Sequence, residues 1–218
     1  DLRRIAESCA GLIFSNEFVN PESWQHLLES RFPCARISFD FLQVNTAFVD
    51  YRPALDQLAA HILTGDCKRT SYICQTQQAL DIVETWLARN SHIMDTLETH
   101  GIGAAQNIHL AFPAKSSRGW DDFSSEIAKG NGKIAIILCS SDYYTPALQA
   151  LKRLGKRMHH DYEIYCMSRV EDDLIEGHCV NIRYPAAAQA MVSMLYLQIE
   201  TGKPQIGKAL LAEFAPCN

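Results

Sequence analysis

The side chains best placed for chemistry stand just after short apolar runs. Asn16 follows residues 10–14, Asp40 follows 35–39, and Gln75 follows 70–74. Phe112 ends 107–112, Ser141 and Asp142 follow 134–139, and Ser168 follows 163–167. Hydroxyls and carboxamides donate and accept hydrogen bonds, and carboxylates accept them. Gathered at one edge, such groups suit recognition of a small polar molecule.

Catalytic patterns are missing from the sequence. It has no Walker loop, no G-x-S-x-G elbow and no H-E-x-x-H. Gly101-x-Gly103 meets Gln106 where a third glycine is needed, and it follows a helical pattern rather than a strand. His159 and His160 are adjacent, so their side chains diverge on any regular element, and a solvated turn explains them. Asp121-Asp122 and Glu171-Asp172-Asp173 read as a helix start and a solvated loop. The chain reads as a binding protein rather than an enzyme, with no cofactor. Eight cysteines, at 9, 34, 67, 74, 139, 166, 179 and 217, include no C-x-x-C and no zinc spacing. They read as buried reduced thiols of a cytoplasmic protein.

Positioning these groups falls to an alternation of strands and helices. Apolar runs at 10–14, 35–39, 46–49, 70–74, 107–112, 134–139, 163–167, 180–182 and 210–214 predict strands. Asn20-Pro21-Glu22 opens a helix with a cap, a first-turn proline and an acid, and Trp24, Leu27 and Leu28 form its apolar stripe. Leu55, Leu58, Ala59 and Ile62 mark a second helix, closed by Gly65. Further helices are predicted at 79–100, 117–129, 145–154 and 185–201. Residues 134–139 are apolar on both faces, as a central parallel strand requires. The pattern predicts an α/β architecture with parallel sheets, whose ligands lie beyond the carboxyl ends of the strands.

Composition sets the outer limits. The 218 residues are 47% hydrophobic and 21% charged, enough for a full core without disulfides. No apolar run approaches the ~20 residues that span a bilayer. A net charge of −5 lacks the basic footprint of a stand-alone nucleic-acid-binding surface.

The order and wording of the segments resemble the effector-binding domain of LacI/GalR-type transcription regulators. Cys9-Ala10-Gly11-Leu12-Ile13-Phe14 resembles that family's V-D-G-I-I strand, and Pro33 to Asp40 its P-V-V-x-I-D strand. Phe48-Val49-Asp50 with Ala54 is similar to V-x-x-D before a helix, and Gly65 to Ile73 to G-H-R-R-I-A-x-I. Arg89, His92, Ile93, Leu97 and Gly101 occupy the frame of an arginine-led helix that ends in glycine. Ser141-Asp142 with Ala147, Leu151 and Gly155 resembles N-D-x-x-A-x-G-x-x-x-x-L-x-x-x-G. His160 to Tyr165 is similar to P-x-D-I-S-V, and Val180 to Pro185 to T-T-V-x-Q-P.

The resemblance implies a two-lobed, periplasmic-binding-protein-like fold. Its first lobe takes 1–66 and 183–203 and lacks its initial βα units; its second takes 67–182 and 204–218. A small polar effector, a sugar or sugar derivative that includes acidic ones, is expected in the interlobe cleft. A cytoplasmic homodimer is expected, reaching operator DNA through a helix-turn-helix absent from this chain, with no membrane contact. Trp24, Leu27 and Leu28, or the helix face at 191–197, are the apolar surfaces expected to serve the dimer. The alternative is an extracytoplasmic sugar-binding protein of a transporter, against which eight cysteines without evident pairing weigh.

On this resemblance Arg89 offers a planar, bidentate fork to the effector; the alternative is a solvated helix arginine. Phe112 either stacks on the effector or is plain core. Asp142 either accepts from ligand hydroxyls or caps the next helix. Ser141 and Ser168 supply hydroxyls, and Asn16, Asp40 and Gln75 further polar contacts. Ser168 stands where the family often has Asp, which removes an anion and favours a carboxylate or phosphate on the ligand.

Overall fold

A computed structural model describes residues 8–14, 21–38, 43–74, 95, 98, 99, 107–167, 176–181 and 183–217. In chain order its elements are β1 (Leu12–Phe14), α1 (Pro21–Glu29), β2 (Cys34–Ser38), β3 (Thr46–Asp50), α2 (Arg52–Thr64), β4 (Arg69–Cys74) and β5 (Asn107–Ala111). They continue with α3 (Ser117–Lys129), β6 (Ile134–Leu138), a 3-10 turn (Ser141–Tyr143), α4 (Tyr144–Arg153), β7 (Tyr162–Cys166), β8 (Gly177–Asn181), α5 (Tyr184–Thr201), β9 (Lys208–Leu211) and β10 (Glu213–Cys217). The helix expected at 79–100 falls on residues of which only Asp95, Glu98 and Thr99 are described, each helical. Parallel sheets flanked by helices make this the α/β class the alternation predicts.

The chain forms two compact units, Asp1–Tyr51 with Arg183–Ala212, and Arg52–Ile182 with Glu213–Asn218. Unit 1 holds a four-stranded sheet in the order β1-β2-β3-β9, every pair parallel. β2 is buried along its whole length, as befits a strand with neighbours on both sides. Trp24 and Leu27 of α1 pack beside Cys34, with Phe14, Leu28 and Phe32 around them, and keep 2% and 4% of their surface exposed. This corrects one expectation: the α1 stripe is consumed by unit 1's own core, so Trp24 and Leu27 offer nothing to a dimer. Met191 and Met194 of α5 are likewise buried, while Val192 and Tyr196 face outward at 56% and 60% exposure.

Gln198 ties α5 to β2. Its amide nitrogen donates to the Cys34 carbonyl at 2.9 Å, and its oxygen accepts from the Cys34 N–H at 3.1 Å. The Arg36 N–H bonds the Asn45 carbonyl just ahead of β3. Backbone groups two residues apart on a strand point the same way, so Gln198 takes the place that a longer β3 would fill.

Unit 2 holds a six-stranded sheet in the order β10-β8-β7-β6-β4-β5. Its pairs are parallel except β10 with β8. All of β6 is buried, as its two apolar faces predict. Phe123 and Ile127 of α3 and Ala147 and Leu151 of α4 join Ile136, Leu138, Ile164 and Cys166 in one core. α2 packs on β8 and β10. Its His61 lies 4.0 Å from the ring of His178 and bonds the Tyr165 hydroxyl at 3.0 Å.

The last strand differs from its expectation. Residues 210–214 belong to two strands rather than one: β9 pairs with β3 in unit 1, β10 with β8 in unit 2, and Ala212 alone separates them. The Ala212 N–H bonds the Asp50 carbonyl at 3.0 Å, and that bond closes the β3–β9 ladder. The expected second-lobe segment 204–218 is thus divided between the sheets. α2, expected in the first lobe, groups with unit 2 because it packs on strands of that sheet.

Glu163 in β7 is buried, and its carboxylate takes Lys133 Nζ at 2.7 Å and His159 Nδ1 at 2.9 Å. Burial pushes the carboxyl up; the Lys133 and His159 hydrogen bonds and charges outweigh it and hold the pKa below its usual 4.5. A folded pKa below the unfolded one adds stability that is complete above the unfolded value and is lost as pH falls through the folded one. The acid limb of stability below about pH 4.5 should therefore flatten in Glu163→Gln. Urea midpoints from about pH 3 to pH 6 measure this, and wild-type and variant curves that stay parallel overturn it.

Candidate functional site

The carboxyl edge of the unit 2 sheet is where ligand groups of a parallel sheet gather. β4, β5, β6 and β7 end there at Cys74, Ala111, Leu138 and Cys166. Their ladders run one residue further: Phe112 N–H bonds the Cys74 carbonyl, Cys139 N–H that of Ile73, and Met167 N–H that of Leu138, at 2.8–3.0 Å. The loops leaving this edge therefore start from a fixed frame.

Three of the eight expected site residues fall on described residues. Phe112 is core: it is 6% exposed, its ring meets Trp120 edge-on at 5.0 Å, and Tyr143 lies at 6.1 Å. α3 closes directly over the ring, with Gly119 and Trp120 against it. Ser141 opens the 3-10 turn and is half-exposed. Asp142 is exposed and makes no hydrogen bond among the described residues. Neither the 3-10 turn nor α4 carries a side-chain cap, so Asp142 does not act as one. Asn16, Asp40, Gln75, Arg89 and Ser168 lie outside the described residues.

Three aromatic residues that the sequence did not single out tie together loops around this sheet. The Tyr143 hydroxyl donates to the Phe112 carbonyl at 2.6 Å, which ties the loop after β5 to the turn after β6. Burial, then Cys139, Cys74 and Asp142, push that phenol far up, so it remains a donor. Trp120 Nε1 donates to the Ala114 carbonyl at 2.8 Å, further along the same loop. Tyr144 both donates to the Glu176 carbonyl at 3.1 Å and accepts from its N–H at 2.7 Å. The only sequence signal was a pair of tyrosines at a strand end.

Gly119 makes the aromatic packing possible. Ser116 caps α3 by accepting from the Gly119 N–H at 3.1 Å, which brings the first turn down on Phe112. A Cβ at Gly119 would stand 2.2 Å from the Phe112 ring. Gly119→Ala should cost about 1–3 kcal/mol of stability by overpacking. Urea unfolding checks this, and a variant within about 0.5 kcal/mol of wild type would place the ring elsewhere.

Among the described residues this edge offers the Ser141 hydroxyl and the Asp142 carboxylate, which suit hydrogen bonding to a polar molecule. Among the described residues no group of three or more His, Cys, Asp and Glu is arranged to hold a metal ion. No described helix is long and apolar enough to cross a membrane.

No family model matches the chain, and no curated protein matches it. Solved structures do match. The Escherichia coli transcriptional repressor ascG aligns with a TM-score of 0.78 at 11% identity, over 99% of this chain and 80% of that one. A LacI family regulator from Enterococcus faecium, solved with bound ribose, aligns with a TM-score of 0.75 at 16% identity, over 97% and 80%. A sugar-binding LacI family regulator from Escherichia coli, complexed with phosphate, gives 0.74 at 11% identity, over 98% and 78%. The fold is that of LacI-type regulators. The LacI-type fold thus runs through both compact units and spans about four-fifths of each of those chains. Ser141, Asp142 and the loops tied by Trp120 and Tyr143 stand at a strand edge of that LacI-type fold.

Proposed function

We propose that this chain is the effector-sensing domain of a LacI-type DNA-binding transcription regulator. The observation that carries the reading is the fold match to such regulators over 97–99% of the chain. Its ligand is a small polar molecule, a sugar or sugar derivative, held at the carboxyl edge of the parallel strands by Arg89, Ser141, Asp142 and Ser168, with Asn16, Asp40 and Gln75 around them. Ribose and phosphate in two of the similar regulators support that ligand class. The domain performs no catalysis. It works as a cytoplasmic homodimer whose operator contacts are made by a helix-turn-helix outside these 218 residues. An effector moves such an equilibrium only by binding one conformation better than the other.

Thermal denaturation against a panel of pentoses, hexoses, uronic acids and sugar phosphates tests the reading. A true effector at about 100 times its Kd adds about 2.7 kcal/mol, which raises the midpoint by several degrees. A panel in which no compound shifts the midpoint would remove the sugar-sensing reading.

A further inference from the structure

Six of nine consecutive positions, Lys152, Arg153, Lys156, Arg157, His159 and His160, carry basic side chains. They run from the last turn of α4 through the turn that enters β7. Only Lys156 is half-buried; the others are exposed. The α4 dipole accounts for Lys152 and Arg153, which sit in its last turn. It does not reach the four that follow.

The turn is anchored by Leu154 and Met158, which pack against the core, and is open to solvent at Gly155. Gly155 has φ +68, and a Cβ built there meets nothing within 4 Å. Two carboxylates lie close by. Asp161 takes the Arg157 N–H at 2.8 Å, with Arg157 Nε at 3.7 Å and His160 at 3.2 Å, and Glu163 takes His159. Lys152, Arg153 and Lys156 have no ion-pair partner among the described residues.

Residues 152–161 carry a net +3 in a chain whose net charge is −5, which leaves −8 on the rest. Because this stretch directly precedes β7, it lies at the amino edge of the sheet, opposite the carboxyl edge that carries Ser141 and Asp142. A partner bound here leaves the effector edge uncovered.

We infer that this turn is a docking surface for an acidic protein segment, rich in Asp and Glu. Charge geometry selects that partner over nucleic acid. Charges are felt over about 8 Å at physiological salt. A short flexible segment needs only the basic turn, whereas a duplex extends past it to an edge where Lys68, Lys129 and Lys133 are already paired with Asp66, Glu126 and Glu163. Surface pairs of this kind contribute little singly, so the recognition depends on several cations acting together.

The test is fluorescence anisotropy of a labelled polyglutamate decamer with the full chain at about 50 mM NaCl. Saturable binding is expected, weaker by about tenfold or more at about 300 mM NaCl. A similar loss is expected in the charge-reversed variant Lys152→Glu, Arg153→Glu, Lys156→Glu. The substituted side chains stand at the surface, and an unchanged thermal midpoint verifies that the variant is folded. A polyglutamine decamer should not bind. Three results overturn the inference: no binding of polyglutamate, binding by the variant within twofold of wild type, or tighter binding of a short DNA duplex than of the peptide.

Discussion

Gln198→Leu should destabilise the chain by about 3–5 kcal/mol. Leucine fills the volume but leaves the Cys34 N–H and carbonyl without the two bonds that Gln198 makes to them. Both groups are buried, and an unsatisfied buried backbone group costs about 1–3 kcal/mol. Water cannot repair the loss, since Cys34 is fully enclosed beside Trp24 and Leu27. Urea unfolding measures the change, with the slope compared so that altered cooperativity is recognised. A loss under 1 kcal/mol, within the ~1 kcal/mol typical of an ordinary substitution, would mean that α5 holds to β2 by apolar contact alone.

Arg89→Ala should weaken effector binding roughly 10- to 150-fold, the equivalent of one charge-assisted hydrogen-bond set of ~1.5–3 kcal/mol. Arg89 lies outside the described residues, and the expectation rests on its spacing to Gly101 and on Ser168 standing where an acid is usual. On the proposed reading, one anion fewer and a retained guanidinium would favour a carboxylate or phosphate on the ligand. Arg89→Lys should recover part of the affinity, because the charge survives and the planar fork does not. Calorimetry with the most stabilising compound of the panel decides it. Binding by Arg89→Ala within twofold of wild type would put Arg89 outside the site.

What the sequence made legible were features with local causes. The helix read at 117–129 has those bounds in the structure, and α5 ends at Gly202 in the left-handed conformation that glycine favours. The two-faced apolar run of β6 marked a central strand, and it lies between β7 and β4.

Features that depend on a distant partner stayed hidden. Gln198 reads as one more polar helix residue until Cys34, 164 positions away, is set beside it. Tyr143 and Tyr144 gain their roles from carbonyls and an N–H at Phe112 and Glu176, in loops whose paths the pattern does not fix. Phe112 left two alternatives open because a strand-end aromatic has the same signature whether a helix covers it or not. The change of sheet at Ala212 has no turn residue to announce it: Ala209 to Phe214 is a nearly continuous apolar run, and only the edges of β3 and β8 decide where it divides.

That change of sheet also orders events during synthesis. β4 to β8 and the helices among them are complete once residue 181 has been made, and they draw on one continuous stretch of chain. The sheet of unit 1 begins at residue 12 but receives its covering helix at 184–201 and its last strand at 208–211. A nascent chain usually folds from its amino end onward. Here β3 waits with an open edge until residues 208–211 have been made, so strands that precede unit 2 in the chain are secured after it. Chaperone dependence during translation should accordingly concentrate on β1, β2 and β3, which have α1 against them but lack α5 and β9 until unit 2 has been made.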